Sequence, residues 1–334
     1  CQAYGLQSLT RSLTLGDRRI VWVRAAWSDL EPILMTSIPI AEIRRPEFID
    51  TIEDLSIDGQ DEYVADLAKR ITPAAEHAPA VCHLDTGVYR QHLLLAGSLA
   101  ERDQLTVIGT SGNDLQGHGT GMAGLALFGD SLDHFLLSND PVVLGHRLES
   151  VKMCPGPHER QHEPRDFGTV TVEAITLPEI NTQRLRVFCM PISANPDRPG
   201  EPTLWSATVD ALAGGTDVGR DGEELLLIGA PRPEAARLIL IATGNVSAYQ
   251  HDYRTESDTS PVEDPAQAWN AVTVGAHTDL VGTPSDPTYA GWRPVAGAGD
   301  LSPHSRTSIP FARQWPTNPD ICTEGGNELT DGAT

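Results

Sequence analysis

From about residue 71 onward, short apolar or β-branched runs alternate along the chain with longer stretches that have helical spacing. This alternation is typical of an α/β domain with a parallel sheet. The pattern therefore predicts a mainly parallel sheet with helices on both faces. The predicted strands are Ala80–Leu84, Leu105–Ile108, Leu185–Ile192, Leu238–Ala242 and Ala271–Val274.

Two helices are predicted between these strands. The stretch Thr203–Ala213 places apolar residues such as Leu204 and Leu212 on one face, and a glycine pair follows it. Gly121–Phe128 has a similar apolar character after a glycine-rich turn. By contrast, the prolines of Pro155–Pro164 leave no room for a long element, so this stretch is predicted to be a loop.

The first 70 residues have a different pattern. Apolar stretches at Ile20–Ala26 and Leu30–Ile40 precede an acid-rich run that continues through Asp66. No motif with a chemical mechanism occurs there, so two interpretations stay open. Residues 1–70 form either an accessory or pro-segment region, able to bind a partner protein, or the first layer of the main fold. The domain division that we predict is residues 1–70 followed by residues 71–334.

Charge narrows the range of partners. The 334 residues include 46 Asp and Glu against 24 Lys and Arg, which gives a formal net charge of −22. Nucleic acids and anionic membrane surfaces bind clustered cations, so this balance argues against both. No apolar run approaches the roughly 18–20 residues that a membrane-spanning helix needs.

The five cysteines include no CxxC pair, which argues against a disulfide framework and against a zinc knuckle. A reducing, cytoplasmic location is therefore predicted, with neither metal nor cofactor. The chain begins with Cys1 instead of Met, which leaves an upstream segment removed in processing as an alternative.

Two local motifs invite functional interpretations that their surroundings oppose. His158 to His162 spells H-E-x-x-H, whose zinc peptidase chemistry needs both imidazoles on one helical face, but the flanking prolines favour a surface loop. Gly119 to Gly124 spells G-x-G-x-x-G, which binds dinucleotides only where a strand runs directly into it, and a polar loop intervenes here. The zinc metallopeptidase remains a lesser alternative.

A third set of residues fits the predicted sheet better. Asp85 ends the first buried run and precedes a turn glycine, and His118 stands at the predicted start of a helix among small residues. The strand Leu238–Ala242 leads into a turn that carries Asn245. Active sites in open parallel sheets lie at the carboxyl ends of the strands. The three side chains are therefore expected along that edge.

These segments carry a resemblance. Asp85-Thr86-Gly87, Gly117-His118-Gly119-Thr120 and Ala242-Thr243-Gly244-Asn245 are similar, in that order, to the Asp, His and oxyanion-Asn motifs of subtilisin-like serine peptidases, or subtilases. Val272-Thr273-Val274-Gly275-Ala276 and Leu301-Ser302-Pro303-His304-Ser305 resemble later family segments. The resemblance runs from about residue 79 to the end of the chain and implies a subtilisin-like fold and hydrolysis of peptide bonds in peptides or proteins.

The resemblance also implies roles for individual residues. His118 would act as general base, Asp85 would orient the imidazole, and Asn245 would donate a hydrogen bond to the oxyanion. The substrate would lie as an extended strand beside Met190, Pro191, Ile192 and Ser193. Because Pro191 has no backbone N–H, this segment departs from the family pattern in one donor.

One member of the implied triad is missing from the printed sequence. The family places a nucleophilic serine after the segment at Gly325-Gly326, but the last serine is Ser308, and Ser111 lies before His118. We expect a chain that ends before the nucleophile, with an incomplete C-terminal part of the fold and no activity by itself. The alternative is a pseudo-peptidase that serves as a binding or scaffold subunit.

Overall fold

The computed structural model describes residues 7–15, 18–24, 30, 40–41, 43, 52, 55–195, 200–221, 224–246, 252–284, 287–308 and 315–332. The chain divides into two compact units, residues 1–49 and residues 50–334. In the first unit, β1 (Gln7–Leu15) and β2 (Arg18–Arg24) form an antiparallel hairpin. Most of the predicted apolar stretch Leu30–Ile40 lies outside the described residues.

The second unit is built on an eight-stranded sheet, whose strands are β4 (Ala80–Asp85), β5 (Leu99–Thr106), β7 (Arg147–Lys152), β8 (Arg186–Met190), β11 (Ile239–Ala242), β12 (Val272–Thr278), β14 (Asp300–Leu301) and β15 (Ile321–Glu324). The strands lie in the order β14-β12-β11-β8-β4-β7-β5, with β15 also paired to β12. Every pairing is parallel except that of β12 with β14. The prediction of a mainly parallel sheet is confirmed.

Smaller pairings surround this sheet. They are β3 (Ile71–Thr72) with β6 (Val142–Val143), β9 (Asp217–Asp221) with β10 (Glu224–Ile228), and β13 (Arg293–Pro294) with β16 (Leu329–Thr330). The helices are α1 (Ile57–Arg70), α2 (His118–Phe128), α3 (Leu132–Leu137), α4 (Phe167–Asn181), α5 (Leu204–Ala213) and α6 (Tyr253–Thr259). None of these described helices is long and apolar enough to cross a membrane.

Helices cover both faces of the sheet, as predicted. One apolar cluster joins α4 and α5 to the sheet through residues such as Ile175 and Val209. A second cluster joins α1 and α2 to the sheet through Leu67 and Leu127. Because Leu67 is fully buried, α1 packs into the second unit. The predicted division after residue 70 thus falls at the end of α1, whereas the compact units divide after residue 49.

Strand β4 shows how the sheet delivers a polar side chain to its edge. Cys82 and Leu84 belong to the cluster under α4 and α5, while Val81 packs against the opposite cluster. Successive side chains of a strand point to opposite faces, so Asp85 lies on the same face as Val81, towards α2. Burial on both faces explains why this strand reads as a nearly continuous apolar run.

Candidate active site

Asp85 lies at the carboxyl end of β4 and is fully buried. Its Oδ1 accepts a hydrogen bond of 2.6 Å from the backbone N–H of Thr86. Its backbone carbonyl accepts bonds from the N–H groups of Met153 and Cys154, at 2.8 and 3.1 Å. The carboxylate is therefore held by the turn that follows β4, while the loop after β7 holds the backbone.

His118 is the first residue of α2, and its imidazole faces Asp85 as the sequence predicts. The Nδ1 atom lies 2.8 Å from Oδ1 and 2.9 Å from Oδ2 of Asp85. The hydrogen bond to Asp85 raises the pKa of His118, and burial opposes that rise only in part. The His118 side chain is 50% exposed. Contact through Nδ1 leaves Nε2 as the ring nitrogen that Asp85 does not engage.

Glycines allow α2 to begin against the turn after β4. A Cβ on Gly119 would lie 2.1 Å from the carbonyl oxygen of Gly87, so the two backbones touch directly. Gly87 has a φ of 98°, and a Cβ there would lie 2.4 Å from the carbonyl oxygen of Gly112. Side chains at either position would push the histidine away from the carboxylate.

Sequence reasoning missed Asp114, which fixes the start of α2. Its Oδ1 accepts bonds from the N–H groups of Gln116 and Gly117, and its Oδ2 accepts from the N–H and hydroxyl of Thr120. The hydroxyl of Thr86 also donates to Oδ1, at 3.0 Å. Burial raises the pKa of Asp114, but the hydrogen bonds outweigh it, so the net shift is downward. Asp114 is thus an ionised cap for the helix that carries His118.

Asn245 follows β11, and its side chain is exposed. Two neighbouring side chains, also missed from sequence, hold the turn. Arg306 donates from Nε to the carbonyl oxygen of Asn245 at 2.8 Å and pairs with Glu263 at 2.9 Å. Gly244 has a φ of 89°, and a Cβ there would lie 2.4 Å from the Glu263 carboxylate. Within the described residues, no hydrogen bond joins Asn245 directly to the Asp85–His118 pair.

The predicted substrate segment lies between these two groups, because β8 separates β4 from β11 in the sheet. Met190 is fully buried and belongs to the core, while Pro191 and Ile192 are half-buried. The hydroxyl of Ser193 donates to Glu263 at 2.5 Å. The segment therefore lies along the same edge as Asp85 and the Asn245 turn.

The H-E-x-x-H motif lies in a loop, as its prolines predict. Glu159 forms an ion pair of 2.8 Å with the buried Lys152, and the Nε2 atom of His162 lies 3.1 Å from the carbonyl oxygen of Met153. The motif lacks the helix that zinc peptidase chemistry requires. The G-x-G-x-x-G motif that begins at Gly119 also lacks the strand that dinucleotide binding requires directly before it, since β5 ends at Thr106.

Comparison with known proteins agrees with the motifs. The chain matches the sequence profile of the subtilase family over residues 76–334. It therefore belongs to the subtilase family. No curated protein sequence matches it.

Solved structures with similarity to this chain include several proteases. The S41 psychrophilic protease is 21% identical, with 64% of this chain and 57% of that chain covered and a TM-score of 0.39. The epidermin leader peptide processing serine protease EpiP from Staphylococcus aureus is 15% identical, with 81% and 59% covered and a TM-score of 0.41. A cold adapted subtilisin-like serine proteinase is 16% identical, with 64% of each chain covered and a TM-score of 0.35. The chain thus spans 57% to 64% of the length of these three proteins.

Proposed function

We propose that this chain carries the Asp and His of a serine endopeptidase that hydrolyses peptide or protein substrates through an acyl-enzyme. The hydrogen bond of 2.8 Å between Nδ1 of His118 and Oδ1 of Asp85 is the observation that carries the proposal. Family membership adds the reaction class, since subtilases use an Asp-His-Ser triad.

In this mechanism the serine hydroxyl attacks the carbonyl carbon of the scissile bond. His118 accepts the hydroxyl proton at Nε2 and later transfers it to the leaving amine. Asp85 keeps the imidazole oriented through Nδ1 and stabilises the imidazolium that forms. The hydrogen bond to Asp85 raises the pKa of His118, which makes the imidazole a stronger base. Water then hydrolyses the acyl-enzyme.

Asn245 would supply an oxyanion donor at the same sheet edge. Its exposed amide is compatible with contact to a bound substrate, and Arg306 holds its backbone carbonyl. An oxyanion donor stabilises charge that develops in the transition state. The half-buried segment that includes Pro191 and Ser193 would pair with the extended substrate.

The 334 residues lack a serine after the Gly325-Gly326 segment, so we propose that they form no acyl-enzyme by themselves. A fluorophosphonate probe, which reacts with activated serines, tests this directly. We expect no labelling of this chain and rapid labelling of a form of the protein that carries a serine at the family position. Robust labelling at Ser111 would contradict the proposal, because Ser111 would then be the nucleophile.

The second candidate function is a pseudo-peptidase that binds peptides without cleaving them. Such a protein would keep the Asp85–His118 pair and would bind peptides along the half-buried segment that includes Pro191 and Ser193. Fluorescence anisotropy with labelled extended peptides separates the two functions. Saturable binding without hydrolysis by a serine-containing form would favour the pseudo-peptidase.

A further inference from the structure

A cluster of metal-ligating side chains lies near the ends of two strands, apart from the Asp85–His118 pair. His277 is in β12, Asp279 directly follows that strand, and Glu324 is the last residue of β15. One donor atom from each of the three side chains lies within 4.8 Å of the other two. We propose that His277, Asp279 and Glu324 bind a divalent transition-metal ion of the zinc type.

Strand pairing brings these side chains together. β12 and β15 are parallel, and His277 and Glu324 are partners in their register. Asp279 lies two residues after His277, and residues two apart on an extended segment project to the same side. The three donors therefore converge through regular backbone structure.

Glu324 is held in the orientation of a metal ligand. Its Oε1 accepts a bond of 2.8 Å from the N–H of Gly326, and its Oε2 accepts one of 2.7 Å from the N–H of Asp279. Each carboxylate oxygen has a second lone pair available for an ion. Hydrogen bonds of this kind fix metal ligands in known sites.

The donor set favours a transition metal over calcium or magnesium. The imidazole of His277 is half-buried, and in the described part of the chain nothing hydrogen-bonds to its ring. One imidazole nitrogen with two carboxylates suits Zn²⁺, whereas Ca²⁺ and Mg²⁺ prefer oxygen ligands alone. Zinc bonds of about 2.0–2.2 Å require the donors to approach one another, and side-chain rotation of the exposed Asp279 permits this.

Charge is consistent with a divalent ion. The carboxylates of Asp279 and Glu324 carry two formal negative charges, which a divalent cation balances. The ion would connect β12 to β15 and stabilise the folded chain by mass action. The proposed site does not depend on the proposed peptidase function, because none of its ligands belongs to the Asp85–His118 pair.

Zn²⁺ and Co²⁺ titrations of the 334-residue chain test the proposal. After treatment with a chelator and its removal, we expect one Zn²⁺ per chain by calorimetry. We expect Co²⁺ to give visible absorption bands that one equivalent of Zn²⁺ abolishes. His277→Gln and Asp279→Ala should each weaken Zn²⁺ binding by at least about tenfold. Asp279 is exposed, so the Asp279→Ala variant removes a ligand with little effect on folding.

His158→Gln and His162→Gln are the matched controls, because each replaces one histidine of the H-E-x-x-H loop. Both variants should bind Zn²⁺ as tightly as the unchanged chain. The proposal is overturned if the unchanged chain binds no Zn²⁺, or if Asp279→Ala binds it with unchanged affinity. It is also overturned if His158→Gln or His162→Gln abolishes binding, since the ion would then occupy the H-E-x-x-H loop. Fluorophosphonate labelling reports on the peptidase function independently of all these results.

Discussion

Asp85 and His118 form a hydrogen-bonded pair whose strength can be measured without peptidase activity. Asp85→Asn weakens the hydrogen bond and removes the carboxylate charge, both of which raise the pKa of His118, while burial of the imidazole still lowers it. We therefore expect the pKa of His118 to fall in this variant. Titration of the imidazole protons by NMR measures the shift.

Asp133→Asn is the matched control for this substitution, because Asp133 is exposed on α3 and makes no bond to His118. Its effect on the pKa of His118 should be negligible. An unchanged pKa in Asp85→Asn would mean that the contact at Nδ1 is not the source of the shift. The prediction that Asp85 raises the pKa of His118 would then be wrong.

Residues of the candidate site differ in how far sequence could reveal them. Asp85 and His118 were predictable because a buried strand and a glycine-flanked helix start place them. Asp114 and Glu263 were not, since each is a single acidic residue outside any regular pattern. Most donors to Asp114 are nearby, but no sequence pattern marks them as its partners, and the partner of Glu263 is the distant Arg306. Only the folded structure identifies such partners.

At the scale of elements, the start of α2 depends on Asp114. Asp114→Ala removes the acceptor of several N–H and O–H groups at the helix start. Loss of a helix cap costs about 0.5–2 kcal/mol, and buried donors left unpaired cost about 1–3 kcal/mol more. We expect the free energy of unfolding, measured in urea, to fall by about 1.5–5 kcal/mol.

Asp252→Ala provides a matched cap deletion at a distance, because Asp252 caps the short helix α6 through the N–H of Arg254. Asp252→Ala should lower the free energy of unfolding by less than Asp114→Ala does, since the surroundings of Asp252 are exposed. It should leave the pKa of His118 unchanged. Equal losses in the two variants would show that the buried network around Asp114 adds nothing beyond an ordinary cap.

Helices and strands with a clear hydrophobic periodicity were predictable from the sequence, whereas those in which buried charges or burial on all sides hide that periodicity were not. β7 was missed because its sequence contains Glu149 and Lys152, yet the strand is buried throughout. Arg186 pairs with Glu149 at 2.7 Å, so burial of these charges depends on tertiary partners. α4 was missed because β-branched residues fill it and nearly all of its faces are buried, which removes the amphipathic stripe.

In the second unit, the shared direction of the parallel strands places the candidate functional residues at one edge of the sheet. Parallel strands end at the same edge, so β4, β8 and β11 deliver Asp85, the segment after Met190, and the turn of Asn245 to neighbouring positions. β12 adds His277 near its own end. The sequence motifs could therefore be placed along one edge before any coordinates were known, because strand direction alone requires it.

The stability of the whole chain should depend on pH through His83, a histidine buried in β4. Within the described structure neither ring nitrogen has a hydrogen-bond partner. Burial lowers the pKa of His83 from 6.5 to about 4, with Asp85 opposing and His146 assisting the shift. The unfolded chain therefore binds one more proton than the folded chain between these two pH values.

Stability must then fall as the pH falls from 6.5 towards 4, with a contribution from His83 of about 3 kcal/mol. In His83→Leu this contribution disappears, so the free energy of unfolding should depend less steeply on pH over that interval. Urea unfolding at half-unit pH steps measures the two slopes, and their difference removes the effect of other titrating groups. His158→Gln, which alters an exposed histidine, should keep the steep slope. If His83→Leu keeps it as well, His83 is not the group that takes up the proton, and its imidazole must be solvated or paired in the folded chain.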